Sequence, residues 1–377
     1  MVNKMYPPRV GGMELHLAQL AQALVATGQA DVRVIVGQER RGSLLEEVVD
    51  GIPVARAATI ARVARTPITV GLTRLLRSVK ADVYHFHSPY PWGEIVALRA
   101  SLPAPIVVTY YHEVVRQRLL GALYRPFLSR FLAKAARIVV WTPEALARSS
   151  LLRGYAAKTT VMPGGIDTAP FVPTERSRQA AAALRRAVAP SGPVILFVGR
   201  LVYYKGLDVL LRAMASVRGT LLVVGQGPLD GELRARAAAL NIADRVRFVG
   251  TVAASDLPLY YQASDVLVLP STEPTEAFGL VQVEAHVSGI PSVCTDLGTG
   301  TTFVNVHGTT GLVVPPRDPR RLAEAVAHLL DDPGLRHRLG LAAQRRALAE
   351  FDVRGCARRW LALYRSVTET APCATAA

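Results

Sequence analysis

Short β-branched runs alternate with helix-length amphipathic stretches along most of this chain. That alternation restricts the fold more than any other feature. Asp31–Val36, Asp82–His87, Pro105–Thr109 and Arg137–Trp141 form a first series, with helix-like segments around them such as the Leu/Ala stripe from Met13 to Thr27. A second series follows the polar, Arg-rich stretch from Pro173 to Ser191. Its runs are Val194–Val198, Thr220–Val224, Val246–Val249, Val266–Leu269 and Ser292–Cys294. Apolar strands separated by helices are what a parallel sheet of βαβ units requires. The pattern predicts an α/β chain of two Rossmann-like doubly wound domains joined near residue 170. A length of 377 residues gives each half its own core. Ligands of such sheets bind beyond the carboxyl ends of the strands, so a cleft between facing halves is the expected active site. The predicted boundaries are 1–168 and 169–354, with a terminal helix at about 355–370 packing back on the first half. Only Val2–Lys4 precedes the first glycine loop, so the opening strand is either very short or begins upstream.

Composition removes several classes. Hydrophobic content of 50% and charged content of 19% fit a globular chain rather than a disordered one. No run approaches the 18–20 apolar residues of a membrane-spanning helix, and the N-terminus lacks the apolar core of a signal peptide. Cys294, Cys356 and Cys373 lie far apart. They suggest neither a disulfide framework nor a metal cluster, which suits a reducing cytoplasm.

The net charge of +15 is uneven. Residues 1–160 hold 21 Lys+Arg against 10 Asp+Glu, a net +11; the remainder holds 23 against 19, a net +4. Arg62, Arg65, Arg74, Arg77 and Lys80 flank one apolar segment. Arg116, Arg118, Arg125, Arg130, Lys134 and Arg137 punctuate another that carries Leu119, Leu120, Leu123, Tyr124, Phe127, Leu128, Phe131 and Leu132. Helical spacing would give basic amphipathic faces suited to an anionic membrane surface. A solvated helix packed on a sheet fits equally well. Aromatic interleaving and zinc-finger spacing are absent, so nucleic acid is not the expected partner.

The chemistry concentrates in a few places. Gly11 and Gly12 precede the first helix, where backbone N–H groups can meet a phosphate or sugar; a tight loop explains them as well. Arg200 and Lys205 follow the Val194–Val198 run, a fork of donors and a point charge placed for phosphate. Alone, they fit two solvated surface cations. Gly225-Gln-Gly227 fails as a dinucleotide fingerprint, because Pro228 and Leu229 follow and no ribose acid lies at the required distance. It reads as a close-packed loop. Glu276 and Glu284 carry the most weight. With Glu276 just ahead of a helix, the N–H groups around Ala277, Phe278, Gly279 and Leu280 form a partial positive pole. Glu284 then lies roughly 12 Å further along the helix. That separation suits two parts of one extended ligand and exceeds the ~5–9.5 Å of a hydrolytic carboxylate pair. A capping Glu276 and a surface Glu284 are the bland alternative.

With these residues in place, the chain resembles glycosyltransferase family 4, the retaining GT-B enzymes that use nucleotide sugars. The likeness rests on Tyr6–Glu14, Pro163–Asp167, Gly199-Arg200, Lys205-Gly206, Glu276–Glu284 and Gly311–Pro316, and spans nearly the whole chain. The resemblance implies an N-terminal acceptor-binding domain and a C-terminal nucleotide-sugar domain. It implies that Glu284 binds ribose hydroxyls and Glu276 the donor hexose. The N–H groups of Phe278 and Gly279 would meet hexose or phosphate, and Arg200 and Lys205 the diphosphate, with Gly12 beside it. His112, in Thr109–Glu113, matches the family's cleft histidine that contacts the donor sugar; a buried polar core residue is the alternative. Glu113 is a weaker candidate. His85 and His87 would line the acceptor pocket or sit in a loop, and His286 reads as packing.

No Asp-x-Asp motif occurs, so neither a metal nor a further cofactor is expected; Arg200 and Lys205 would offset the diphosphate charge. The family retains anomeric configuration without a known enzymic nucleophile, and none is assigned. Thr109–Arg118 and Gly298–Asn305 resemble O-antigen and capsule assembly enzymes that use GDP-mannose or GDP-rhamnose on polyprenyl-diphosphate-linked glycans. The expected partners are therefore a nucleotide-sugar donor, a glycan or polyprenyl-linked acceptor and an anionic membrane surface. A nucleotide-sugar epimerase and a non-catalytic sugar-nucleotide-binding protein are the rival classes.

Overall fold

The structure is a computed structural model and describes residues 1–8, 11–63, 66–111, 118–190 and 192–369. Contacts divide it into two compact units: Met1–Gly165 together with the segment from Val353, and Ile166–Asp352.

The first unit contains α1 (Gly12–Val25), β1 (Val34–Arg41), β2 (Leu45–Val49), β3 (Ile52–Val63), β4 (Thr66–Val70), α2 (Leu72–Ser78), β5 (Tyr84–Ser88), α3 (Pro91–Ala100), β6 (Ile106–Tyr110), α4 (Arg118–Lys134), β7 (Arg137–Val140), α5 (Pro143–Arg148) and β8 (Thr159–Val161). Strands β5, β6, β7 and β8 pair in parallel in that order. β3 pairs in parallel with β1 and antiparallel with β2 and β4. Val2 joins the two groups by parallel bridges to Ile35 and Phe86. Its N–H donates to His85 O at 2.8 Å, and its own carbonyl accepts from His87 N at 2.9 Å. The position of an opening strand is thus held by a bridge around Val2.

One expectation needs correction. The segment flanked by Arg62 and Arg74 was expected at helical spacing, but Ile52–Val63 and Thr66–Val70 are strands. Ile52, Val54, Thr59, Ile60 and Val63 favour the pleated surface that β1 provides, and only Leu72–Ser78 is helical. The second basic segment is helical, as α4.

The second unit contains α6 (Glu175–Val188), β9 (Val194–Val198), α7 (Leu207–Met214), β10 (Thr220–Val224), α8 (Asp230–Ala239), β11 (Val246–Gly250), α9 (Leu257–Gln262), β12 (Val266–Leu269), α10 (Leu280–Val287), β13 (Ser292–Thr295), α11 (Gly300–Val304), β14 (Gly311–Val314), α12 (Pro319–Asp331) and α13 (Pro333–Glu350). Its strands pair in parallel in the order β11-β10-β9-β12-β13-β14. β9 and β10 are buried or nearly so along their whole length, as strands covered by helices on both faces must be. Burying a side chain such as Phe197 or Leu196 contributes about 1.5–3 kcal/mol. The order reverses between β9 and β12. This is the topological switch point, where the loops at the carboxyl ends part and leave room for a ligand.

The chain then enters α14 (Val353–Glu369). Cys356, Ala357, Trp360 and Leu361 on α14 share a core with Leu20 and Leu24 of α1, Val107, Val139 and Met162.

Candidate functional site

The switch point brings together the loops that leave β9 and β12. The β9 loop passes through Gly199 to a 3-10 turn at Tyr203–Lys205 and then Gly206, whose φ of +67° lets the backbone reverse into α7. The β12 loop runs Pro270-Ser271-Thr272 to Glu276. Thr272 N donates to Tyr204 O at 2.8 Å and ties the loops together. Their side chains then meet. Lys205 Nζ lies 2.6 Å from Glu276 Oε2, with both side chains largely buried at 13% and 10% exposure. Ser271 Oγ donates to the same carboxylate oxygen at 3.0 Å. Burial pulls the Lys205 ammonium down, but the Glu276 charge and its hydrogen bond outweigh that and hold the lysine above its ordinary value.

The backbone behind Glu276 is also fixed. Its carbonyl accepts from Thr299 Oγ1 at 2.8 Å, and Ala277 O accepts from Gly300 N at 2.8 Å. Phe278 is buried and packs edge-on against Phe351, with ring centroids 5.8 Å apart. Gly279, at φ +77°, is the N-cap of α10. Leu280 opens that helix, so the free N–H groups of its first turn face the loop. Glu284, one turn along α10, accepts from Tyr261 OH at 2.5 Å. Burial pushes the Glu284 carboxyl up to about 7, against the Tyr261 bond and the nearby Lys205 charge. Lys205 is therefore coupled to both acids.

The Gly225–Gly227 loop packs backbone to backbone on this assembly. A Cβ at Gly225 would lie 2.1 Å from Gly199 O, and one at Gly227 would lie 2.2 Å from Leu201 O. Its glycines serve close approach.

The structure therefore brings Lys205, Glu276, Phe278, Gly279, Leu280 and Glu284 into one region of the second unit. Arg200 is exposed, and no hydrogen bond or ion pair engages its guanidinium among the described residues. Gly11 and Gly12 lie in the first unit, at the start of α1, where Gly11 is the N-cap. His112 and Glu113 lie outside the described residues. His85 and His87 are strand rather than loop residues. They are interior positions of β5, 2% and 1% exposed. His85 Nε2 bonds Thr109 Oγ1 and its Nδ1 bonds Tyr364 OH, both at 2.7 Å, and His87 Nδ1 bonds Tyr111 OH at 2.7 Å. Burial lowers both well below the usual histidine value. His286 is buried and bonded to Ser292 Oγ at 2.9 Å, the packing position expected.

Sequence reasoning missed Ser271, Tyr261 and Thr299. Ser271 carried a usable signal, since it follows the β12 strand directly. Thr299 lies in the Gly298–Asn305 stretch singled out by resemblance but was given no role there, and Tyr261, on α9, carried no signal.

Chemically, a buried ammonium paired with one carboxylate, with a second acid nearby on the helix whose N-terminus follows, offers a point charge for phosphate and acceptors for hydroxyls. A buried pair of this kind is costly to half-dismantle, so the charges sit ready in fixed positions.

The comparisons with known proteins agree on the class. The profile described as Glycosyltransferase Family 4 matches residues 10–170, and that of Glycosyl transferases group 1 matches residues 184–346. A D-rhamnosyltransferase of Pseudomonas aeruginosa is 35% identical over 341 residues, covering 89% of this chain and 87% of its own. The O-antigen chain mannosyltransferase C of Escherichia coli is 31% identical, with 97% of each chain covered. Among solved structures, sucrose-phosphate synthase of Thermosynechococcus elongatus superposes with a TM-score of 0.78 at 25% identity, over 98% of this chain and 99% of its own. This chain belongs to glycosyltransferase family 4, has the GT-B type of fold with two Rossmann-like domains, and is an enzyme that transfers a sugar.

Proposed function

We propose that this glycosyltransferase moves a mannosyl group, with retention, from GDP-mannose to a lipid-linked glycan during assembly of a cell-surface polysaccharide. The Lys205–Glu276 pair at the switch point is the observation that carries this reading. Departure of the leaving group builds negative charge on the diphosphate, and a preorganised cation with helix N–H groups stabilises it. In this reading Lys205 and Arg200 meet the diphosphate, and the N–H groups of Phe278, Gly279 and Leu280 meet phosphate or hexose. Glu276 accepts hexose hydroxyls while Ser271 and Lys205 hold its orientation. Glu284 accepts the ribose hydroxyls. In the first unit, Gly11 and Gly12 approach the diphosphate, and His112 contacts the donor sugar. No side chain is assigned as nucleophile; the departing phosphate oxygen takes the acceptor proton. The choice of mannose draws support from relatives whose names specify mannosyl and rhamnosyl transfer.

A panel of GDP-, UDP- and dTDP-hexoses, read by nucleoside-diphosphate release, tests the donor. GDP-mannose is expected to turn over at least tenfold faster than any UDP-hexose. Preference for a UDP-sugar rejects the donor, and conversion to an epimer without transfer rejects the reaction.

The acceptor side of the proposal includes membrane contact through α4. Tyr124, Leu128, Phe131 and Leu132 turn inward, while Leu123 is 71% and Phe127 38% exposed. Arg125 and Arg130 flank them, and Arg99, Arg130 and Lys134 line the groove between α3 and α4. Each such cation contributes about 1 kcal/mol near an anionic leaflet. Among the described residues no helix is long and apolar enough to cross a membrane. The protein is expected to float with vesicles containing 30 mol% phosphatidylglycerol at low salt, the mole fraction being roughly that of an anionic leaflet. Leu123→Ser with Phe127→Ser is expected to lower the bound fraction several-fold. Equal recovery with purely zwitterionic vesicles would refute the electrostatic part.

A further inference from the structure

Tyr261 reaches the site from α9 and is fully buried. Its hydroxyl donates to Glu284 Oε2 at 2.5 Å. Its neighbours hold the ring on that bond. Phe171, in the 3-10 turn Ala169–Phe171, packs edge-on against it with centroids 5.8 Å apart. The turn is tied to α10, because Ser288 Oγ at the α10 C-cap is shared between Phe171 O at 3.2 Å and Glu284 O at 3.0 Å. The phenol therefore meets Glu284 within a frame set by three elements.

Satisfying a buried phenol does not explain a carboxylate here. A glutamine would accept the same hydrogen bond without a charge to desolvate. The acid is kept although burial pushes the Glu284 carboxyl up to about 7. Lys205 opposes that shift but is paired with Glu276. The Tyr261 bond also takes only part of the carboxylate. Glu284 Oε1 has no hydrogen-bond or ion-pair partner among the described residues and is not sealed from solvent. Clamped at Oε2, the group keeps Oε1 and a second lone pair of Oε2 for a ligand, enough for two neighbouring hydroxyls. We infer that Tyr261 is a positioning residue, whose hydroxyl aims the Glu284 carboxylate so that both ribose hydroxyls of the nucleotide can donate to it. The ribose rests on the donor-site reading proposed above; the clamp on Glu284 rests on the geometry alone.

The test is titration calorimetry on the full chain with GDP and with its dideoxy analogue, which lacks both ribose hydroxyls. The wild type, Tyr261→Phe, Glu284→Gln and the double variant are compared. The wild type is expected to bind GDP about 10- to 100-fold more tightly than the analogue, the range for hydrogen bonds to a charged group. Tyr261→Phe is expected to cut that preference about tenfold and to leave binding of the analogue unchanged. Each preference is a ratio taken on one sample, so a lowered folded fraction affects both titrations alike. With Glu284→Gln in place, adding Tyr261→Phe is expected to change nothing further, as for two residues acting through one contact. A preference kept in full by Tyr261→Phe makes Tyr261 a packing residue and overturns the inference, while the ribose role of Glu284 stands. A wild type without any preference overturns both. UDP and its dideoxy analogue are titrated in parallel. A wild type that binds only these rejects GDP as the nucleotide, and the same comparison then decides on the uridine pair. A wild type that binds none of the four overturns the donor-site reading and this inference with it.

Discussion

Replacing Lys205 by methionine is expected to lower kcat by about 10²- to 10³-fold, the range for loss of one preorganised charge from a developing anion. Methionine keeps the length and apolar stem of the side chain and removes only the charge. The substitution also leaves the Glu276 carboxylate buried without its cation, since the pair is 2.6 Å apart with little exposure on either side. Breaking such a pair from one side costs about 3–5 kcal/mol, so activity could fall merely because the protein unfolds. The double variant Lys205→Met with Glu276→Gln separates the two effects. Its neutral side chains keep the volume, and Gln can still accept from Ser271 Oγ, the 3.0 Å bond of the native loop. Urea midpoints are expected to recover most of the lost stability while turnover stays low. If turnover recovers with stability, Lys205 is a structural residue and the phosphate role proposed for it is wrong.

The legibility of this site varied with how its parts are built. The central strands of the second unit were readable because β9, β10, β12 and β13 are buried almost throughout and so spelled out as apolar runs, whereas the edge strand β14, only half buried, did not read as a strand. β9, β10 and β12 have the bounds the pattern predicts, and β11 and β13 each run one residue longer. The loops after β9 and β12 could be nominated because their chemistry follows a strand end directly. What brings them together is the strand order, and a sequence does not display which strands are neighbours. That is why Lys205 and Glu276 could each be named but their ion pair could not. His85 and His87 show the converse. A polar residue in a short strand looks like a site residue until Trp360, at ring centroid 4.3 Å from His85, and the Tyr364 hydroxyl are brought over it by α14 from the far end of the chain. The β3–β4 ribbon was hidden for a third reason. Its arginines alternate with small apolar residues at a spacing that suits a helix and a strand alike, and only pairing with β1 decides.

Gly206→Ala is expected to destabilise the protein by more than the usual cost of a left-handed alanine and to lower kcat/KM by about 10²-fold. Gly206 has φ +67°, which alone costs a non-glycine residue about 1–2 kcal/mol. Here the space is also taken. A Cβ would lie 2.0 Å from Pro270 O and 3.1 Å from Thr272 Cγ2. The first of these is backbone and cannot rotate aside. Relief has to come from separating the β9 and β12 loops, which strains the Thr272 N to Tyr204 O bond and carries Lys205 away from Glu276. Gly28 provides the control, because it has the same φ of +67° with nothing within 4 Å of its added Cβ. Gly28→Ala should show the backbone cost alone, with kcat/KM intact. Urea unfolding and steady-state kinetics on both variants decide the matter. Equal losses of stability with equal activity would mean that the two loops move freely past each other, and the charges between them would then not be preorganised.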